Sequence, residues 1–96
     1  MSLTIINNTT PKRNLAIDMV RACLAHYKHF KRPVESITLS PSMWRTFKDG
    51  LIRMDPEKED DINMTDWVSF KDCKVKKGSV FMIKSLTVQL KQRVLD

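Results

Sequence analysis

The sequence predicts an α+β domain, with two helices packed on one face of a small, mainly antiparallel β-sheet. Apolar residues recur at three- and four-residue steps through the first third of the chain. A short β-branched run follows Pro33, and the last third alternates apolar and polar residues between turn signals. The order helix, strand, helix, strands, with no internal repeat and no heptad seam, points to α+β.

The elements follow in order. Residues 1–9 are Asn/Thr-rich and read as a flexible lead-in. Thr10 before Pro11 is a helix start signal: the hydroxyl can accept an early backbone N–H, and proline lacks a donor that would otherwise go unpaired. Ala16, Val20, Cys23, Leu24, Tyr27 and Phe30 then form an apolar stripe, so a helix is expected over about residues 11–30, ended by Pro33. Val34–Leu39 reads as a strand with Ile37 and Leu39 inward. Ser40-Pro41 repeats the start signal for a helix carrying Trp44, Phe47 and Leu51, which Asp49-Gly50 is expected to close. Residues 55–66 hold six acids and one Lys and read as a solvated loop. A turn at Lys76-Lys77-Gly78-Ser79, with positive φ expected at Gly78, leads into a long final strand over residues 80–91. The expected organisation is one domain over residues 10–91 with a tail at 92–96.

With 96 residues, 42% hydrophobic and 29% charged, the chain has the composition of one small folded domain, not of a disordered tail or a large enzyme fold. Charged residues interrupt every hydrophobic stretch, so no membrane span is expected. Met1–Asn8 lacks the basic and apolar regions of a secretory signal. Cys23 and Cys73 are expected as half-buried free thiols in a reducing, cytoplasmic setting, although a disulfide stays open if their elements pack together.

The net charge of +6 conceals an uneven distribution. Residues 1–54 carry +6, residues 55–66 carry −5 and residues 67–96 carry +5. Outside the acidic segment the chain therefore carries +11, enough to attract a polyanion at long range. The cations that would do so are Lys28, Lys31 and Arg32 after the first helix, and Lys74, Lys76 and Lys77 near the 76–79 turn, where Lys71 is also close. Against this, lysines on an edge strand commonly guard it from aggregation, and Trp44 and Trp67 read first as core or interface anchors.

Tests for catalytic and metal chemistry fail at the residues that matter. A calcium loop counted from Asp55 puts Asp60 where the sharp turn needs glycine and Asp66 where it needs glutamate. Cys23, His26 and His29 share a helix end but lack the spacing of a four-ligand zinc site. With two glycines in all, and no GxSxG, GxGxxG, Walker or HExxH pattern, no enzyme, metal or cofactor is expected.

The run Ile37-Thr38-Leu39-Ser40-Pro41-Ser42-Met43-Trp44, with Phe70-Lys71-Asp72-Cys73-Lys74-Val75-Lys76-Lys77-Gly78-Ser79 after a variable stretch, resembles small phage- and prophage-encoded α+β proteins. These are strand, capped-helix and Lys/Gly-turn hairpin proteins of unassigned function, and the resemblance covers residues 37–90. It implies a short viral or prophage accessory protein in a bacterial host cytoplasm and carries over no functional residue.

The expected function is a protein-interaction or assembly module whose partner is another protein or a second copy. The six methionines and the final strand would supply an apolar edge for pairing. A basic nucleic-acid-binding accessory protein is the second expectation.

Overall fold

A computed structural model describes residues 13–92. Helix α1 spans Leu15–His29 and strand β1 spans Val34–Leu39. Helix α2 (Pro41–Met54), a 3-10 turn (Pro56–Lys58) and the short helix α3 (Glu59–Asn63) follow. Strands β2 (Trp67–Phe70), β3 (Cys73–Lys77) and β4 (Leu86–Leu90) complete the order. The sheet runs β2-β3-β1-β4, with β1 parallel to β3 and the two outer pairings antiparallel. The fold is α+β, as the order of elements predicts, and the parallel β1–β3 pairing makes its mainly antiparallel sheet a mixed one.

The start signal at Thr10-Pro11 lies outside the described residues. Within them, Asn14 caps α1: its side-chain oxygen accepts the Ile17 N–H at 2.9 Å, and its side-chain amide donates to the Thr46 carbonyl at 2.7 Å. One residue thus caps a helix and ties it to α2. The other end of α1 closes in a Schellman pattern, with Arg32 N–H on Tyr27 O at 2.8 Å and Lys31 N–H on Lys28 O at 3.0 Å. Lys31 takes the left-handed position, at φ 56°, that glycine usually fills.

Ser40 caps α2 as expected, but the helix does not stop at Asp49-Gly50 and runs on to Met54. Gly50 is there for packing: a Cβ would fall 2.5 Å from Ile17 Cδ1 and 2.6 Å from Asn14 Nδ2. The expected loop at 55–66 is also corrected. Ile62 is buried and gives α3 an apolar anchor, so most of the segment winds into the 3-10 turn and α3 while its acids face water.

Alternation along the strands gives the sheet two unlike faces. One packs on the helices: Ile37, Leu39, Cys73 and Val75 join Ala16, Val20, Trp44 and Phe47 in the core. Phe47 stacks with Trp44 at 6.1 Å and meets Phe70 edge-on at 5.5 Å. The other face presents Thr38, Trp67, Ser69, Lys74, Lys76, Thr87 and Gln89. Among the described residues no helix is long and apolar enough to cross a membrane.

The long strand expected over 80–91 is only Leu86–Leu90. The neighbour of β4 is β1, which ends at Leu39 before Ser40-Pro41 turns the chain into α2. Leu86 pairs with Leu39, and residues 80–85 have no strand to lie beside among the described residues.

Candidate docking surfaces

The segment between β3 and β4 is a loop held at both feet. Gly78 N–H donates to Leu39 O at 2.7 Å, and Ser40 N–H donates to Ser85 O at 3.0 Å. Inside the loop, Met82 N–H donates to Ser79 O at 3.0 Å and Phe81 N–H to Ser79 Oγ at 3.1 Å. Gly78 does not take the expected positive φ. Its lack of a side chain lets β1 approach, since a Cβ would fall 2.6 Å from Met82 Sδ and 2.9 Å from Thr38 Cγ2. This anchored loop presents Val80, Phe81 and Ile83 at 76%, 88% and 99% exposure. Each such side chain left in water forgoes about 1.5–3 kcal/mol of burial free energy.

A second surface is the open face of the sheet. Lys74 Nζ lies 4.8 Å from the centre of the half-exposed Trp67 ring, with Lys76 on the same face. Trp44 is a core residue, whereas Trp67 is not.

The third surface is a groove of about 690 Å³ between α1 and the end of the sheet where β1 and β3 begin. Arg21, Leu24, Ala25 and Lys28 line it from one stripe of α1. Pro33, Val34 and Cys73 add to its lining, and Arg32, Lys71 and Lys91 bring further cations. Asp72 is the one acid on its wall.

The six cations singled out in the sequence do not converge. Lys28 and Arg32 line the groove, and Lys31 sits in the turn between them. Lys74 and Lys76 belong to the open sheet face, and Lys77 ends β3 opposite Leu39. The groove instead adds Lys71 from the other cluster, with Arg21 and Lys91, which sequence reasoning left aside. Arg21 was legible, being seven residues before Lys28 on the same helix stripe. Lys91 became a neighbour only through the β1–β4 pairing.

Cys23 and Cys73 are free and close enough for one to influence the other's titration. Burial pushes both thiols up; at Cys73 the nearby Cys23 raises it further, while a backbone hydrogen bond and Lys91 oppose the rise. His26 lies edge-on to Tyr27 and Phe30, and His29 to Phe30. Among the described residues no three His, Cys, Asp or Glu side chains gather as a metal site. In comparisons with known proteins, no family model matches the chain and neither a curated protein nor a solved structure shows significant similarity to it.

Proposed function

We propose that the chain is a small non-enzymatic interaction module that docks a protein surface, a second copy or another chain, through the loop carrying Val80, Phe81 and Ile83. The observation that carries this reading is the combination of near-complete exposure with backbone anchoring at both feet of the loop. Adjacent apolar side chains on a fixed support act as binding anchors with little ordering left to do on association. The free thiols, one of them in the core, support a reducing compartment such as the cytoplasm.

Sedimentation velocity at ~10–100 µM protein tests the self-association arm of this reading in ~0.5 M salt, where apolar contacts persist and charge contacts are screened. Wild-type protein is expected as a dimer or larger species, and the Phe81→Glu, Ile83→Glu double variant as a monomer with unchanged thermal unfolding. Identical sedimentation of the two removes the second copy as the loop's partner.

A second reading, nucleic-acid binding, draws support from Lys74 over Trp67 with Lys76 beside them, a basic surface with one stacking platform. It predicts retardation of a single-stranded oligonucleotide that weakens steeply between ~50 and ~200 mM salt and drops on Trp67→Ala or Lys76→Glu. No retardation at ~50 mM salt removes it.

A further inference from the structure

The groove beside α1 and the acidic segment 55–66 are opposite charges on one chain that the fold leaves apart. Among the described residues the ion pairs are Arg13–Asp18 at 3.1 Å and Lys58–Asp55 at 3.8 Å, and neither joins the two surfaces. The groove collects Arg21, Lys28, Arg32, Lys71 and Lys91 against the single Asp72. The segment carries a net −5. The backbone carbonyl of its last acid, Asp66, accepts the Lys77 N–H at 2.9 Å, which places that residue at the far end of β3 from the groove. One strand length, about 15 Å, therefore separates that end of the segment from the groove wall at Asp72 and Cys73.

One further feature matches the surfaces to each other, and another belongs to the groove alone. The groove has apolar lining among its cations, from Leu24, Ala25, Pro33 and Val34, and the acidic segment carries Met64, which is 87% exposed. The groove wall is also shaped at some conformational cost. All three non-glycine residues with positive φ among the described residues are at it or beside it: Lys71 at 50° and Asp72 at 64° on the wall, and Lys31 at 56° next to Arg32. Left-handed backbone in residues with a Cβ costs about 1 kcal/mol or more each and concentrates where a local shape is needed.

We propose that this groove takes the acidic segment 55–66 of a second copy of the chain, head to tail. The contact is heterologous, because each copy uses its groove on one neighbour and its acidic segment on another, so it grows into open strings unless the rotation closes a ring. Charge complementarity makes it dependent on salt. The proposal rests on the reading of the chain as a protein-docking module but not on the apolar loop.

The test uses the full chain with Phe81→Glu and Ile83→Glu in every sample, so that failure here leaves loop docking untouched. In ~50 mM salt the sedimentation coefficient is expected to rise with protein concentration, with at least a tenfold loss of affinity by ~300 mM. Adding Lys28→Glu and Arg32→Glu abolishes the association, as does neutralising the segment with Glu57→Gln, Glu59→Gln, Asp60→Asn and Asp61→Asn. Mixed together, these two variants form a one-to-one pair and nothing larger, since one retains the segment and the other the groove. A monomer at ~100 µM in ~50 mM salt overturns the proposal, as does a mixture that does not pair. Monomeric protein that instead retains an oligonucleotide through Lys28 and Arg32 assigns the groove to nucleic acid and also overturns it.

Discussion

At Gly50, helix propensity and packing oppose each other. Alanine is the better helix former by about 1 kcal/mol. Its Cβ would, however, press on Ile17 and on Asn14, whose side chain is held by hydrogen bonds at both ends. Overpacking at about 1–3 kcal/mol, with a weakened N-cap at about 1 kcal/mol, outweighs the gain. Gly50→Ala is therefore expected to lower stability by about 1 kcal/mol in urea denaturation, whereas an increase would show that Asn14 gives way freely. The two thiols, Cys73 buried and Cys23 half-buried, make a second prediction at this scale. Both titrate above their ordinary 9.0, so the folded protein holds its thiol protons to higher pH than the unfolded chain does. Their contribution is fully present below the unfolded value and is lost as pH rises above about 9. Thermal unfolding in reductant should fall from pH 8 to 10, and Cys73→Ala should flatten part of that fall. An equal slope in wild type and variant would contradict it.

Local chemistry decides some elements, and the neighbours available for pairing decide others. Ser40-Pro41 starts α2 where the sequence places it, and Ile37 and Leu39 point inward as their spacing predicts, because a cap and a two-residue period need nothing distant. The end of α2 and the extent of the last strand differ from the expectation for the opposite reason. One depends on what α1 places against the glycine, and the other on where β1 ends. The β2–β3 hairpin turns through Lys71-Asp72, two residues at positive φ with no glycine, so the usual sequence signal for such a turn is missing. Lys71→Asn with Asp72→Gly should raise stability by about 1 kcal/mol, measured as a higher urea midpoint at an unchanged slope. A loss would mean that the two side chains support the turn in ways the backbone does not reveal.

For the whole molecule, the uneven charge was legible in composition, but its placement was not. The net +6 conceals a −5 segment, and the surrounding cations divide between a groove, a sheet face and a turn according to strand pairing that no local pattern encodes. The apolar loop was half legible: Val80, Phe81 and Ile83 are apolar in the sequence, but the period-two pattern of residues 80–91 predicts one long strand in which they would lie. They are instead held out from the fold, and docking through them is the central claim. A photo-reactive phenylalanine analogue in place of Phe81, irradiated in whole-cell extract and in purified protein, tests it most directly. The account predicts protein adducts in at least one of the two, to a second copy or to another chain, that far exceed those from the same probe at the exposed Arg45 of α2. Adducts at position 81 no more abundant than at position 45, in both samples, would contradict it.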